Sequence, residues 1–300
     1  MNEPLEKFEP RMVAGAGAEI FVRTGGEGPP LLLLHGYPQT HVMWHRLAPV
    51  LARHFHLVIA DLRGYGRSSM PPNDRDNRNY SKRAMAGDMV AVMAALGHDR
   101  FAVAGHDRGA RVGYRMALDA PAVVERLAVL DIIPTFDMWQ GMDGNLALKV
   151  YHWAFLAQPA PLPERLIEGN AGFYLDWTLA SWTKSGDLSC FDEAALAAYR
   201  AAFAAPGRVH ATCNDYRAGA TFDLAADRED RAAGRRIACP TLVLWGTGGI
   251  PSEAADSLAI WQSWCDAVEG RAIDAGHFVA EENPTETAAA LIPFLSGRRP

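Results

Sequence analysis

Positive charge is in short supply in this 300-residue chain: 29 Lys and Arg stand against 35 Asp and Glu, a formal net charge of -6 at pH 7. That balance removes the electrostatic basis for gripping a phosphate backbone or an acidic membrane surface, so neither nucleic acid nor membrane is an expected partner. Long apolar runs are missing as well, and aliphatic stretches such as Leu31–Leu34 are far too short to span a bilayer. Cysteine is sparse. The four present, Cys190, Cys213, Cys239 and Cys265, all lie in the second half and form neither a C-x-x-C pair nor a Cys/His metal spacing. Reduced thiols and no bound metal are therefore expected. The opening residues MNEPLEKFEP lack a basic stretch followed by an apolar run, so no export or transit signal is read and a cytoplasmic location is the expectation. A Gly-rich phosphate loop and a dinucleotide fingerprint are also missing, and no cofactor is called for.

What the chain does have is material for a large core, with 49% hydrophobic and 21% charged residues and a mean hydropathy of -0.08. Those values exclude both a disordered and a membrane-embedded protein. At roughly 150 residues per domain the length suggests two domains, although a sheet-centred enzyme with an insertion reaches it as one. Short β-rich runs at Ile20–Arg23, Leu31–His35, Leu57–Asp61, Phe101–His106 and Leu127–Ile132 alternate with helix-period segments. Such alternation predicts an α/β architecture with a mostly parallel sheet covered by helices on both faces. Ser81 is placed to cap a helix whose Met85, Met89, Val92, Met93 and Leu96 repeat at helical spacing, with Gly97 to end it. From Pro134 to about Glu229 the strand signal vanishes, and Ala, Trp, Tyr and Phe dominate between Pro breaks at Pro159, Pro161, Pro163 and Pro206. Strands return at Thr241–Trp245 and Arg271–Ile273, followed by a closing helix over Glu286–Phe294 interrupted near its end by Pro293. The expected division is a core of residues 1–134 and 230–300 and an inserted helical lid of residues 135–229.

The sharpest motif is Phe101-Ala-Val-Ala-Gly-His-Asp-Arg-Gly-Ala-Arg111, an apolar strand running into Gly105-His106-Asp107-Arg108-Gly109 and then a helix. Two glycines flanking a central residue permit the tight strand-to-helix turn that lifts that side chain above the sheet, as in the G-x-S-x-G nucleophile elbow. Asp107 could alternatively be a plain helix cap. Three further features favour the elbow. His35-Gly36-Tyr37-Pro38 follows an apolar strand where a loop supplies one backbone N–H of an oxyanion hole, that of Tyr37, with Arg108 supplying the other. Asp131 ends the strand after the elbow, and His277 follows the last strand in Asp274-Ala-Gly-His-Phe278. Nucleophile, acid and base then occur in the order Asp107, Asp131, His277 expected of α/β-hydrolases. A rival acid after Thr241–Trp245 would have to be Glu253, since Gly246-Thr-Gly-Gly-Ile250 contains no carboxylate.

Aspartate in place of serine changes the reaction. A carboxylate is a poor acyl-transfer catalyst but a competent SN2 nucleophile toward saturated carbon bearing a leaving group. The resulting ester is then hydrolysed by water activated by His277, with the oxyanion hole stabilising the tetrahedral intermediate. Halides and epoxides both suit this logic. Arg108 and Arg111, one helical turn apart beside Asp107, favour a substrate carrying a carboxylate, because a neutral haloalkane or epoxide would leave them unused. As two solvated arginines they would have no such role.

In HGYPQTHVMWHRLAP, DLRGYG, GHDRGARVGYRMALD, LAVLDIIPT, YHWAFLAQPAPLPE, DYRAGA and GHF the chain closely resembles the fluoroacetate (haloacetate) dehalogenases of the α/β-hydrolase superfamily, over essentially its whole length. The resemblance implies the α/β-hydrolase fold with a helical cap, Asp107 as nucleophile, His277 as base, Asp131 as its acid partner, and Arg108 and Arg111 on the substrate carboxylate. It also implies that His152, Trp153 and Tyr216 hold the halide, although Tyr151-His152-Trp153 on its own reads as aromatic packing within a helix. Adjacent helical residues diverge by about 100°, so His152 and Trp153 can serve one ion only if the pocket wraps around that helix. Haloacetate hydrolysis to glycolate and halide by a homodimer is what the resemblance implies. An epoxide hydrolase using the same Asp-His-Asp set, a dehalogenase that releases chloride and bromide but little fluoride, and a non-catalytic binder on the same fold are the rival readings. Arg67, after DLRGYG, has no evident part in any of them.

Overall fold

The computed structural model describes residues 4–249 and 256–297; Glu253 lies outside them. Eight strands form one sheet in the order β1-β2-β4-β3-β5-β6-β7-β8. These are β1 Glu9–Ala14, β2 Glu19–Gly25, β3 Pro30–Leu34, β4 His56–Ala60, β5 Phe101–His106, β6 Val124–Leu130, β7 Thr241–Gly246 and β8 Val268–Ile273. β1 pairs antiparallel with β2, and β2 antiparallel with β4. All other neighbours are parallel. The central strands β3 and β5 are near-continuous apolar runs, as burial on both faces requires.

β1 is absent from the sequence expectation because its residues are mostly exposed and include Pro10, so no buried alternation marks it. Helix Lys82–Ala95 starts where expected, with the Ser81 hydroxyl accepting from the Ala84 N–H, and it buries Met85, Met89, Val92 and Met93. Pro293 does not interrupt the closing helix, which runs unbroken over Pro284–Leu295. It sits in the last turn, where a single lost backbone bond matters little. The four cysteines are all unpaired.

Between β6 and β7 the described chain is helical, from Thr135–Gln140 to Leu224–Ala232, and forms the cap of the fold. Both of its ends are fixed to the elbow helix Arg108–Asp119. Asp227 accepts from the Tyr114 hydroxyl at 2.8 Å, from Arg115 Nη2 at 2.6 Å and from the Phe136 N–H at 3.1 Å. Thus the first and last turns of the cap meet on the helix that carries the site. The cap also reaches the opposite side of the sheet's rim, where the Trp182 carbonyl accepts from the His277 N–H at 2.8 Å. Arg67 packs its guanidinium 4.2 Å above the Phe21 ring and donates its backbone N–H to Asp61, which gives that residue a place in the fold.

Candidate active site

Asp107 stands between β5 and the elbow helix with φ 44° and ψ -114°, a conformation an L-residue holds only when its surroundings impose it. The two flanking glycines make that possible. A Cβ on Gly105 would lie 2.6 Å from the Ala110 nitrogen, and one on Gly109 would lie 2.5 Å from the His35 carbonyl oxygen. The strand, the turn and the neighbouring loop therefore approach more closely than any side chain allows, and the strain is spent on lifting one carboxylate into a cavity.

One Oδ of Asp107 accepts the Tyr37 backbone N–H at 2.9 Å. The other expected oxyanion donor, the Arg108 N–H, belongs to the first residue of the elbow helix, whose terminal amides have no intrahelical acceptor. Burial alone would raise the Asp107 pKa, but the charges of His277, Arg108 and Arg111 outweigh it, and the net shift is downward. The carboxylate is thus anionic and ready to attack.

Asp131 also has positive φ, 54°. One of its oxygens accepts the Gly246 N–H at 2.8 Å, and the other lies 2.6 Å from His277 Nδ1. His277 is buried, which disfavours its charged form; the hydrogen bond and charge of Asp131, with help from Asp107, nevertheless raise its pKa. With Nδ1 engaged by Asp131, Nε2 is the ring nitrogen that can serve as base. His106, whose Nε2 meets the His277 carbonyl at 2.9 Å, is pushed by burial down to about 3 and stays neutral.

Asp107, Arg111, Asp131 and His277 line one small cavity. His152, Trp153 and Trp182 close it from the cap side, and Ile132, Ile133 and Met138 supply its apolar wall. His152 and Trp153, successive residues of helix Tyr151–Leu156, therefore do face the same space, because the pocket wraps around that helix. Burial pushes His152 down to about 3, so it is a neutral imidazole, and its Nδ1 has no protein partner. Tyr216 packs edge-on against His152 and Trp153, with ring centroids 5.6 Å and 6.4 Å away.

The two arginines part company. Arg108 is not unpaired: its Nε and Nη2 bond both carboxylate oxygens of Asp215 at 2.9 Å and 2.6 Å, and its guanidinium lies 4.2 Å above the Tyr216 ring. Asp215 is fully buried and also receives the Lys82 ammonium and, at 2.6 Å, the Tyr65 hydroxyl. Arg108 is absent from the residues lining the cavity. Arg111, in contrast, is buried with Nη1 on the Ile133 carbonyl at 3.0 Å and the Thr135 hydroxyl at 3.1 Å, and its Nε has no partner. No carboxylate bonds it among the described residues, and its guanidinium lies 4.6 Å above Trp153. Sequence reasoning missed Asp215, although DYRAGA contains it, because a buried acid is recognisable only by the cations brought to it. Trp182 carried no signal beyond being an aromatic in a helix.

Another buried carboxyl follows His277 closely in the chain. Glu281, in helix Val279–Glu282 just after His277, accepts from Gln39 Nε2 at 2.8 Å and from the Tyr199 hydroxyl of the cap, while its Oε2 has no partner. Burial pushes its pKa from 4.5 up to about 8. Because the folded state favours the protonated acid, the stability this group contributes is fully present below its unfolded value near 4.5 and is lost as pH rises toward 8. Glu281→Gln keeps the shape without the charge, so its Tm advantage over the unchanged protein should widen from about pH 5 to about pH 8.5. At about 1.5 °C per kcal/mol for a chain of this size the effect is measurable. Parallel Tm curves across that range would contradict it.

Residues 29–284 match the α/β hydrolase fold family, and the chain belongs to it. The chain is 43% identical to fluoroacetate dehalogenase of Burkholderia sp over 294 residues, which cover 98% of this chain and 96% of that protein. The protein is thus a member of the fluoroacetate dehalogenase family, an enzyme of the class that hydrolyses carbon–halide bonds. It is also similar to soluble epoxide hydrolase of Corynebacterium sp. (strain C12), 31% identical over 94% of this chain and 96% of that one. A crystal structure from Nostoc sp PCC 7120, assigned to the α/β hydrolases, superimposes with a TM-score of 0.94 at 50% identity, covering 97% of this chain and 99% of that one. Among the described residues no helix is long and apolar enough to cross a membrane.

Proposed function

We propose that the enzyme hydrolyses haloacetates, with fluoroacetate, chloroacetate and bromoacetate as its substrate class, to glycolate and halide. The observation that carries this reading is Arg111: a buried cation with an unpartnered Nε, on the wall of the cavity that holds Asp107. A buried cation with no carboxylate hydrogen-bonded to it is costly, and a substrate carboxylate would relieve that cost. In the first step an Asp107 oxygen attacks the carbon bearing the halogen, the carbon–halogen bond breaks, and the halide departs toward His152, Trp153 and Tyr216. A small anion such as fluoride needs several N–H or O–H donors to replace water, and these three bring no competing negative charge.

In the second step His277 takes a proton from water, which attacks the carbonyl carbon of the Asp107 ester. The developing oxyanion rests on the Tyr37 and Arg108 N–H groups, and His277 returns the proton to the departing glycolate oxygen. Asp131 keeps the imidazole oriented and stabilises its charged form. Arg108 is tied to Asp215 and does not line the cavity, so Arg111 is the principal clamp on the carboxylate. Each charge-assisted contact contributes about 1.5–3 kcal/mol. Arg111→Leu should therefore raise KM for chloroacetate by about 10- to 100-fold with a smaller change in kcat, since carboxylate binding persists from ground state to transition state. Halide release with unchanged KM would remove the clamp and favour the epoxide hydrolase reading.

We take residues 1–134 and 230–300 as the core and 135–229 as the cap, and we read the assembly as a cytoplasmic homodimer. The apolar side chains Leu162, Leu166, Phe173 and Trp177, exposed on two successive cap helices, support a covered surface there. Sedimentation at twice the 32.7 kDa chain mass would agree with it, and a monomer at micromolar concentration would not.

A further inference from the structure

We propose that the same site opens small 2,3-epoxy carboxylates, 2,3-epoxypropanoate above all, to the corresponding 2,3-dihydroxy acids. The inference rests on the haloacid reading of Asp107 and Arg111 and extends it to a second leaving group. A ring-opening epoxide oxygen and a departing fluoride make the same demand on a protein: both are small, hard centres whose new negative charge must be met by N–H and O–H donors. His152 and Trp153 line the cavity together with Asp107, and Tyr216, just outside that lining, packs edge-on against both.

The two leaving groups differ in one respect. Halide departs as it is, whereas the alkoxide must gain a proton, and Tyr216 is the member of the cradle able to give one. Its ring also meets Tyr37 edge-on at 5.2 Å, and the Tyr37 N–H holds the Asp107 carboxylate, so donor and nucleophile are fixed through one residue. Burial, and next the negative charge of Asp107, hold the phenol in its protonated form.

Shape selects the acid. In 2,3-epoxypropanoate the carboxylate is attached to C2, as it is attached to the reacting carbon of a haloacetate. With that carboxylate on Arg111, C2 lies where the haloacetate carbon would lie and the ring oxygen lies in the halide position. The three-membered ring ties the extra CH2 to that oxygen, so the epoxy acid is little longer than a haloacetate. A neutral epoxide has nothing to place on Arg111.

The step balances as follows. An Asp107 oxygen bonds to C2, the C2–O ring bond breaks with its electron pair on oxygen, and that oxygen takes the Tyr216 proton. Water then hydrolyses the ester. Of its two protons, one passes through His277 to the C2 oxygen and the other restores Tyr216, so the net change is epoxide plus water to diol.

The test incubates the full-length protein with 2,3-epoxypropanoate, with 1,2-epoxypropane and, in parallel, with chloroacetate, and measures diol and chloride. The expected result is 2,3-dihydroxypropanoate from the epoxy acid and no diol above background from the neutral epoxide. Tyr216→Phe should lower epoxy-acid turnover by about 100-fold or more, the range of a lost general acid, while chloroacetate turnover falls much less. Chloroacetate turnover with neither diol nor an Asp107 adduct from the epoxy acid would overturn this proposal and leave the haloacid reading intact. Equal rates on the neutral and acidic epoxides would overturn the selection by Arg111, and equal losses in Tyr216→Phe would overturn Tyr216 as proton donor. If chloroacetate too is left untouched, the haloacid reading itself falls.

Discussion

His277→Asn should release about one equivalent of chloride per active site from chloroacetate and then stop. The first displacement needs only the Asp107 carboxylate and a bound substrate, whereas ester hydrolysis needs a base, and losing a general base costs about 10²- to 10⁴-fold. Asparagine keeps a polar side chain of similar reach beside Asp131 but cannot accept the water proton. Intact-protein mass spectrometry should show the chain heavier by one carboxymethyl group, and peptide mapping should place that group on Asp107. The buried 2.6 Å contact between His277 and Asp131 gives the expectation its structural basis, since it fixes Nδ1 and leaves Nε2 for water. A variant that turns over with full activity, or that never forms an adduct while still folded, would take His277 out of the second step.

Fluoride should be more sensitive than chloride to the cap donors. The carbon–fluorine bond is stronger and the departing ion concentrates its charge, so hydrogen bonds present only as the bond breaks act mainly on the rate. One lost donor costs about 2.7–4 kcal/mol if it resembles an oxyanion-hole deletion, roughly 10²- to 10³-fold in kcat. Tyr216→Phe and Trp153→Phe should each depress fluoroacetate turnover by a larger factor than chloroacetate turnover. Tyr216→Phe keeps the buried ring and its packing, so the fold and carboxylate binding should persist there; Trp153→Phe leaves a smaller ring beneath Arg111, so its Tm and chloroacetate KM are measured alongside. Equal losses on the two substrates would point to general damage to the cap, and no loss on either would reduce both residues to packing.

The features that could be read in the sequence are those written in short, contiguous stretches. Phe101–His106 is a strand because it is apolar throughout, and its glycine-flanked Asp107 is an elbow because no side chain fits at Gly105 or Gly109. The helical insertion shows itself by losing period-2 alternation between Pro134 and the strand at Thr241. What stayed hidden depends on partners distant in the chain. Arg108 and Arg111 are one turn apart and look equivalent, yet Asp215, 107 residues further on, neutralises one and leaves the other facing the cavity. Trp182 lines the site from a distant helix, its carbonyl held by the His277 N–H and its ring against His152 and His277. Glu281 looks like an ordinary charge in a Glu-Glu pair until Gln39 and Tyr199 enclose it. β1 escaped notice for the opposite reason, because a mostly exposed edge strand has no buried face to impose a pattern.

The central claim is that Asp107 becomes covalently attached to the substrate carbon. A single turnover with enzyme in excess over chloroacetate, run in heavy-oxygen water, tests it most directly. In the ester mechanism the oxygen carried away by the first glycolate comes from Asp107, and the solvent oxygen replaces it in the carboxylate. The account predicts unlabelled glycolate and one heavy oxygen on the peptide containing Asp107. Labelled glycolate with an unlabelled Asp107 would mean that water attacks the substrate directly, and would contradict it.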